Sequence, residues 1–276
     1  MYFYKDAYLE KKDLHLSPDD RGYYFGDGVY EVFRVYNGQI YEQEAHMKRL
    51  QKSADEVRIN LPYTHEKIGN ILVQLVRENG LVEGTIYMQI TRGEAQRAHP
   101  FPTQAKPIML AYCTEVKRPL ATIQSGIKAI SYEDIRWLRC DLKTLNLLPN
   151  VMAKQAALDN GVQEVVLHRN GVVTECSASN FMMIRNGILY THPANNLILH
   201  GVTRAVVLRL AQALQIQIKE EPFTLQQLLD ADEAFITGTT VEVTPVIVID
   251  GKLVGSGEPG PLTRKLQAQF ELTFAN

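Results

Sequence analysis

Four dipeptides of the Asn-Gly or Asp-Gly type interrupt runs of β-forming residues, and these turns constrain the fold more than any other feature of the sequence. They are Asn37-Gly38, Asn170-Gly171, Asn186-Gly187 and Asp250-Gly251. A two-residue hairpin loop needs positive φ at its central residues, a conformation that Asn, Asp and Gly adopt more readily than other residues. The sequence therefore predicts antiparallel hairpins at several places along the chain.

Between these turns, apolar residues recur at helical spacing in some segments and follow a strand pattern in others. Helices are predicted at 45–57, 64–78, 150–160 and 203–214. Strands are predicted at 29–36, 39–41, 85–91, 107–112, 127–131, 135–146, 233–237 and 245–249. Because strands and helices do not alternate regularly, the pattern favours an α+β fold over a doubly wound sheet.

The length of 276 residues suffices for one large domain or two ordinary ones. The stretch from Val116 to Leu120 breaks the pattern of regular elements and is predicted to be a linker. It divides the chain into a smaller N-terminal domain, residues 1–118, and a larger C-terminal domain, residues 119–276.

Charge and cysteine content exclude several classes of function. A net charge of −2 gives no electrostatic reason to expect a nucleic acid or an anionic membrane as a partner. Three cysteines without short spacing argue against a disulfide framework and a zinc site, and no metal is expected. The N-terminus lacks the pattern of a signal peptide, and no apolar run reaches the length of a membrane span. We therefore expect a soluble cytoplasmic enzyme.

Lys143 ends an apolar, strand-like stretch and has few local partners. An amine must be neutral to form an imine with an aldehyde, and burial favours the neutral form by lowering the pKa. Burial among Trp137, Leu138, Leu142 and Leu145 would have this effect. A surface lysine at a strand end is the alternative explanation.

An acid follows later in the chain, at Glu175, in a segment that continues with Ser177, Ser179 and Asn180. A carboxylate beside a pyridine nitrogen keeps that nitrogen protonated, and pyridoxal phosphate is then the better electron sink. A solvated acid after a hairpin is the alternative.

Two segments are suited to bind a phosphate. Thr203 lies at the predicted start of a helix after Gly201, where unpaired N–H groups and the helix dipole favour an anion. The turn Thr237-Gly238-Thr239-Thr240 offers hydroxyls, and Arg49 offers a positive charge. Each of these features has an alternative explanation without a phosphate. Thr203 could be an N-cap, the second segment could be a simple turn, and Arg49 could lie on a solvated helix face.

Arg97 and His99 alternate in sequence, so in extended backbone both side chains point to the same side. A guanidinium binds a carboxylate through two hydrogen bonds, and an imidazole adds a donor. A phenol such as that of Tyr30 could complete an anion-binding site. An exposed basic loop is the alternative explanation.

With these residues in this order, the chain resembles the fold-type IV pyridoxal-phosphate enzymes, which include D-amino acid aminotransferases, branched-chain aminotransferases and aminodeoxychorismate lyases. The resemblance covers essentially the whole chain and is greatest to the bacterial D-amino acid aminotransferases. It is carried by Arg97-Ala98-His99, by the block from Glu133 to Leu148, and by the segment from Val173 to Asn180. Cys176 and Ala178 occupy variable places of the Glu-x-Ser-x-Ser-Asn pattern.

The resemblance implies an α+β, two-domain fold with pyridoxal 5'-phosphate in the larger domain and the active site between the domains. Lys143 is implied to attach the cofactor and to move the proton of the substrate Cα, and Glu175 to face the pyridine nitrogen. The phosphate is implied to be held by Arg49, Val202 (through its backbone), Thr203 and Thr240. Residues implied to line the cofactor or support its ligands are Arg136, Ser179 and Thr239. The implied ligands of the substrate carboxylate are Tyr30, Arg97 and His99.

The implied reaction transfers the amino group of D-alanine and other D-amino acids to 2-oxoglutarate, giving pyruvate or another 2-oxo acid and D-glutamate in two half reactions. The family works as a homodimer, in which the neighbouring subunit usually supplies the Arg-x-His loop. Three other functions stay open. They are an L-branched-chain aminotransferase, an aminodeoxychorismate lyase, and a non-catalytic protein that binds the cofactor. The first of these would leave the presence of Arg97 and His99 unexplained.

Overall fold

The structure, a computed structural model, describes residues 1–275 and divides the chain into two compact units. The first unit contains Met1–Lys117 together with Leu142–Leu147. The second contains Arg118–Asp141 and the chain from Leu148 onward. The short segment that carries Lys143 therefore packs with the first unit, although its neighbours in sequence belong to the second.

The first unit is built on a six-stranded sheet in which all neighbouring strands are antiparallel. Its strands are β1 (Tyr2–Tyr4), β2 (Ala7–Leu9), β3 (Gly28–Tyr36), β4 (Gln39–Ile40), β5 (Gly84–Thr91) and β6 (Ile108–Glu115), in the spatial order β2-β1-β6-β5-β3-β4. Val29 lies opposite Ile90 and Phe33 lies opposite Ile86, and all four side chains are fully buried. Because opposed residues point to one face of a sheet, this face carries the core.

Three helices complete the first unit: α1 (Arg21–Phe25), α2 (Gln43–Glu56) and α3 (His65–Glu78). In α3 the side chain of Thr64 accepts a hydrogen bond from the Lys67 N–H group and caps the N-terminus. Ile68, Leu72 and Leu75 recur at helical spacing and are fully buried in the same core as β3 and β5. The apolar stripe therefore explains both the helix and its packing.

The second unit is built on a nine-stranded mixed sheet. Its strands are β7 (Ile127–Glu133), β8 (Glu164–Arg169), β9 (Val172–Cys176), β10 (Asn180–Arg185), β11 (Ile188–Thr191), β12 (Ile218–Glu220), β13 (Glu233–Gly238), β14 (Glu242–Ile249) and β15 (Lys252–Leu253). The spatial order is β12-β11-β10-β13-β14-β7-β8-β9, with β15 beside β14. β7 is parallel to β8 and β14, β11 is parallel to β12, and the other pairs are antiparallel.

Five helices belong to the second unit: α4 (Leu120–Ser125), α5 (Leu148–Asp159), α6 (Val202–Ala213), α7 (Leu225–Leu228) and α8 (Pro261–Leu272). α6 packs beside β13 and against α8, which also contacts β14. No helix within residues 1–275 has the length and apolar character needed to cross a membrane.

All four predicted hairpin turns are confirmed. They join β3 to β4, β8 to β9, β10 to β11 and β14 to β15, and both residues of each turn have positive φ. This is the conformation for which Asn-Gly and Asp-Gly are selected. The combination of an antiparallel sheet, a mixed sheet and separate helices also confirms the α+β class.

The strand predicted at 135–146 is wrong. This segment has no regular secondary structure, and Thr144 forms only an isolated bridge with Val29. The Cys140 N–H group donates instead to the carbonyl of Asn196, a loop residue. Apolar residues alone therefore misled the prediction, because the segment pairs with β3 only at Lys143–Leu145 and has loop partners elsewhere.

Candidate functional site

The segment that carries Lys143 lies against the first residues of β3. The Tyr30 N–H group donates to the carbonyl of Lys143, and the Leu145 N–H group donates to the carbonyl of Gly28, each over 3.0 Å. The Lys143 N–H group donates to Ser53 Oγ over 3.1 Å. A Cβ atom on Gly28 would lie 2.7 Å from Leu145 Cδ1, so the close approach requires glycine. The backbone of Lys143 is thus fixed through both its carbonyl and its amide.

The Lys143 side chain is half-buried, and its Nζ atom lies 4.1 Å from the centroid of the Tyr30 ring. The face of an aromatic ring attracts a cation. No carboxylate within residues 1–275 forms an ion pair with this amine, and its one recorded side-chain contact is with the Tyr30 ring. The predicted burial of Trp137 and Leu138 is wrong, since their side chains are 45% and 62% exposed, whereas Leu142 is buried.

The buried acid Glu31 holds Arg49. Arg49 Nε and Nη2 donate to the two carboxylate oxygens over 2.8 and 2.7 Å, and His46 Nδ1 lies 2.7 Å from Oε2. Burial alone would raise the pKa of Glu31, but Arg49 and His46 hold it at about 2. Burial lowers the pKa of His46, and its contact with Glu31 opposes that shift. Glu31 therefore carries a negative charge that fixes the orientation of the Arg49 guanidinium.

Arg97 and His99 lie on an exposed loop, and both pack on Phe25. The Arg97 guanidinium carbon is 5.1 Å from the centroid of that ring, and the His99 ring centroid is 5.7 Å from it. The Tyr30 ring instead stacks on Tyr87, with centroids 5.8 Å apart. Within residues 1–275, no hydrogen bond, ion pair or ring contact joins Tyr30 to either loop residue. Within the described chain, Arg97 and His99 therefore lie together on Phe25, and Tyr30 makes no direct contact with either of them.

In the second unit, the buried Glu175 accepts hydrogen bonds from three groups. Arg136 Nη1 donates to Oε1, and Asn180 Nδ2 donates to Oε2 over 2.9 Å. The Leu199 N–H group lies 3.2 and 3.1 Å from the two oxygens. Burial raises the pKa of Glu175, and Arg136 and the Leu199 amide oppose that shift. The carboxylate is therefore held rigidly with both oxygens bonded.

Arg136 is fixed from its other side by Asp134. Arg136 Nε and Nη2 donate to the two Asp134 oxygens, each over 2.8 Å. Arg169 Nε and Thr174 Oγ1 also donate to Asp134, over 3.2 and 2.9 Å. Burial alone would raise the pKa of Asp134, but Arg136 and Arg169 hold it below its usual value. Arg136 cannot turn away from Glu175 without losing this second carboxylate.

Asn180 connects Glu175 to the start of α6. Besides its bond to Glu175, Asn180 Nδ2 donates to the carbonyl of Leu199 over 2.8 Å. A Cβ atom on Gly201 would overlap Asn180 Oδ1, so glycine is what lets the helix start approach this side chain. The acid and the N-terminus of α6 are therefore close neighbours.

The N-terminus of α6 is suited to bind an anion. Gly201 occupies the N-cap position, and no side chain caps the helix there. Thr203 is the second residue of the helix, so the alternative in which Thr203 is the N-cap is wrong. Uncapped N–H groups of the first turn, including those of Val202 and Thr203, are the donors that phosphates use at helix ends.

The turn between β13 and β14 lies near the start of β10. A Cβ atom on Gly238 would be 3.4 Å from the Cβ atom of Ser179, and Thr239, half-buried, and Thr240, exposed, follow in the turn. The hydroxyls of Ser179 and Thr237 are buried and have no nitrogen or oxygen partner within residues 1–275. Buried hydroxyls are normally hydrogen-bonded, so this place fits a polar group of a bound molecule.

The predicted site residues thus form separate groups. Those of the first unit are Tyr30, Arg49, Lys143 and, on the exposed loop, Arg97 and His99. Those of the second unit are Arg136, Glu175, Ser179, Val202, Thr203, Thr239 and Thr240. Their chemistry fits an aldehyde, a ring nitrogen and a phosphate, the three groups of pyridoxal phosphate. Within residues 1–275, no cluster of three or more His, Cys, Asp or Glu side chains could hold a metal ion.

Sequence reasoning missed the residues that hold the site residues in place. They are Glu31, His46 and Asp134, whereas Asn180 was noted beside Glu175 without its bond to that acid. The sequence did contain one signal for Glu31. Val29, Glu31 and Phe33 are two positions apart along β3, so their side chains point to the same, buried face. An inward-facing acid needs a cationic partner, and this could have indicated Arg49.

A family model described as amino-transferase class IV matches residues 28–249 of the chain. A D-alanine aminotransferase from Staphylococcus epidermidis is 44% identical over 270 residues, which cover 98% of this chain and 96% of the relative. A D-alanine aminotransferase from Bacillus licheniformis is 44% identical over 263 residues, which cover 95% of this chain and 93% of the relative.

A solved structure with a similar fold is the branched-chain amino acid aminotransferase of T.th. with pyridoxamine 5'-phosphate. Its TM-score is 0.90 at 27% identity, and the match covers 99% of this chain and 94% of that chain. The architecture is therefore shared with a branched-chain enzyme, whereas the higher sequence identity is to proteins named for D-alanine.

Proposed function

Because the chain belongs to the class IV aminotransferase family, we propose that it is a D-amino acid transaminase that uses pyridoxal 5'-phosphate. It transfers the amino group of D-alanine and other D-amino acids to 2-oxoglutarate, giving pyruvate or another 2-oxo acid and D-glutamate. The observation that carries the proposal is the 44% identity, over 98% of the chain, to relatives named D-alanine aminotransferase. The predictions of the family, of a pyridoxal-phosphate aminotransferase and of the α+β fold are confirmed.

Pyridoxal phosphate, when bound, supplies the electron sink that stabilises negative charge at the substrate Cα. Lys143 attaches the cofactor and moves the proton to and from that carbon. This role is supported by the amine's lack of a carboxylate partner within residues 1–275 and by its fixed backbone. Tyr30, under the Nζ atom, limits the positions that the amine can adopt.

Glu175 keeps the proton on the pyridine nitrogen. Its support is the set of donors that hold both of its oxygens: Arg136, Asn180 and the Leu199 amide. A carboxylate fixed in advance does not have to reorganise when positive charge is placed beside it. Arg136 acts by fixing Glu175 through its shared bond with Asp134.

The phosphate is held by the uncapped start of α6, through Val202 and Thr203, and by Thr240, with Arg49 supplying a full positive charge. The supporting observations are the missing side-chain cap of α6 and the fixed guanidinium of Arg49. Thr239 lies beside Thr240 in the same turn, next to Ser179.

Lys143 and Arg49 belong to the first unit, and Glu175 and the start of α6 belong to the second. We propose that residues of both groups bind the same cofactor. Substitutions in either group should therefore affect the same spectral and kinetic properties of the bound cofactor.

The working form is a homodimer, in which Arg97 and His99 serve the site of the neighbouring subunit. One support is that neither residue contacts Tyr30 within the described part of one chain. The other is an exposed apolar stripe along α5. Its members, spaced at helical intervals, are Leu148, Val151, Met152 and Leu158, from 48% to 70% exposed. Such a stripe is typical of a protein–protein contact.

A cytoplasmic location is part of the proposal. Cys113, Cys140 and Cys176 are all free thiols, and two of them are buried. Unpaired cysteines are usual in a reducing compartment, where disulfides are rare.

The test is the rate of amino transfer from D-alanine to 2-oxoglutarate, with the configuration of the glutamate product determined on a chiral column. D-glutamate formation with no turnover of L-leucine supports the proposal. The fold shared with a branched-chain enzyme makes L-leucine the necessary comparison. Turnover of L-leucine alone contradicts the proposal. Catalytic formation of pyruvate from aminodeoxychorismate, without an amino acceptor and with no turnover of D-alanine, would assign the chain to the lyases.

A further inference from the structure

The loop that carries Arg97 and His99 has few anchors of its own. Both side chains are exposed, and no backbone–backbone hydrogen bond outside the helices and strands involves residues 96–107 within the described chain. A segment of this kind does not fix its side chains without help from elsewhere. Arg21 anchors the backbone of this loop. Its Nη1 atom donates to the carbonyl of Ala98 over 2.6 Å, and its Nη2 atom donates to the carbonyl of His99 over 3.4 Å.

Arg21 is itself held firmly. Its side chain is 3% exposed, its Nε atom donates to Asp27 Oδ2 over 2.7 Å, and its backbone N–H group donates to the carbonyl of Gly93. The guanidinium carbon also lies 4.8 Å from the centroid of Phe25, the ring on which Arg97 and His99 pack. Arg21 thus contacts the loop backbone and also the ring beneath its two functional side chains.

A second guanidinium shares the same carboxylate. Arg92 Nε and Nη2 donate to the two oxygens of Asp27 over 2.8 and 2.9 Å, and Arg92 also donates to the carbonyls of Val57 and Arg58. Its guanidinium carbon lies 3.7 Å from the centroid of Phe101. Asp27 therefore connects two cations, one at each end of the segment from Ala98 to Phe101.

We infer that Arg21 is a positioning residue for the substrate carboxylate, because it fixes the backbone from which Arg97 and His99 project. The inference rests on the proposed function, in which those two side chains bind that carboxylate. Arg21 does not touch the substrate. It sets where the loop holds its ligands, and misplacement of binding groups by about 1 Å is enough to cost on the order of a hundredfold in rate.

The geometry requires arginine at this position. A single planar group donates through Nε to Asp27 and, at the same time, through its Nη atoms to two carbonyls. A lysine keeps the charge but offers one compact ammonium group, which cannot span these acceptors. Arg21→Lys therefore removes the positioning while it leaves a cation beside Asp27.

The test compares D-alanine with ethylamine, its counterpart without a carboxylate, on the holoenzyme. For Arg21→Lys we expect KM for D-alanine to rise about tenfold to a hundredfold with kcat changed much less. The single-turnover rate with ethylamine, followed by the visible absorbance of the cofactor, should stay within about twofold of the parent. The Kd for pyridoxal phosphate should not change. Arg97→Ala serves as the reference for a lost carboxylate ligand.

Lys5→Met is the matched control, because Lys5 pairs with Glu94 at the base of the same loop on the exposed surface and touches neither carbonyl. Lys5→Met should leave the KM for D-alanine and the single-turnover rate with ethylamine unchanged. Asp27→Asn is the second variant, should Arg21→Lys fold poorly, and is expected to raise KM for D-alanine in the same selective way.

An unchanged KM for D-alanine in Arg21→Lys, with a raised KM in Arg97→Ala, would overturn the inference and leave the proposed function intact. An equal loss with D-alanine and ethylamine would also overturn it, because it would show a general structural role. An unchanged KM in Arg97→Ala would instead remove the proposed carboxylate ligand itself.

Discussion

Replacing Glu31 with glutamine tests whether the charge of this buried acid holds Arg49 in place. Glu31 is fully buried, and its two oxygens are bonded by Arg49 and His46. Glutamine has nearly the same shape but no charge, so it keeps the packing and leaves the Arg49 guanidinium without its counter-ion. Removal of one partner of a buried ion pair typically costs about 3–5 kcal/mol.

The lowered pKa of Glu31 gives a second, independent value for how much its ion pair stabilises the fold. A carboxyl whose pKa falls from its ordinary value of 4.5 to about 2 in the fold stabilises that fold by about 3 kcal/mol at neutral pH, since each pKa unit is worth about 1.4 kcal/mol. Because the folded pKa is the lower one, this stabilisation is present above pH 4.5 and is lost as the pH falls toward 2. At pH 3 less than half of this stabilisation should remain.

The assay is urea unfolding of the cofactor-free protein, followed by far-UV circular dichroism at pH 7 and at pH 3. Glu31→Gln should lower the free energy of unfolding by about 3 kcal/mol at pH 7 and by less than half of that at pH 3. Glu44→Gln is the control, since Glu44 is an exposed acid that pairs with Lys48 on the same helix, and it should have no measurable effect. A difference of the same size at both pH values would refute the electrostatic reasoning, and so would a difference below about 1 kcal/mol at pH 7.

Three further outcomes are expected. Lys143→Ala should abolish amino transfer, because the amine that binds the cofactor is lost, while circular dichroism shows an intact fold; substantial residual turnover would contradict its role. Glu175→Gln should slow the half reaction with D-alanine by about a hundredfold or more in stopped-flow absorbance, since fixed electrostatic stabilisation is removed; an equal rate would exclude Glu175 from the site. Val151→Glu should shift the protein from dimer to monomer in sedimentation velocity, because it places a charge in the exposed stripe of α5; an unchanged dimer would place the interface elsewhere.

The parts of the fold that depend on short-range signals could be predicted from the sequence. The turns Asn170-Gly171 and Asn186-Gly187 carry their own backbone preference, and helix α3 shows its buried stripe directly in residue spacing. The order of Lys143, Glu175 and the two segments suited to a phosphate suggested the cofactor. These features involve a few neighbouring residues or a fixed motif, so no tertiary information was needed.

Contacts between residues far apart in sequence could not be predicted in this way. The segment 142–147 packs beside β3 rather than with its neighbours in sequence. No local sequence pattern indicates that the chain comes back to β3 at this point. Arg21 bonds to a carbonyl 77 positions away, and Arg136 bonds to Glu175 across 39 positions. A polar side chain at a single position has many possible partners, and only the tertiary fold selects one.

The central claim is that Lys143 and the cofactor act on D-amino acids, and the visible absorption spectrum of the purified holoenzyme tests it most directly. The spectrum is measured before and after addition of D-alanine, with L-leucine added to a parallel sample. We predict that D-alanine removes the visible band of the bound cofactor and that L-leucine does not. Loss of the band with L-leucine alone would contradict the claim in favour of a branched-chain aminotransferase, and a band unchanged by either amino acid would point to a lyase or a cofactor-binding protein.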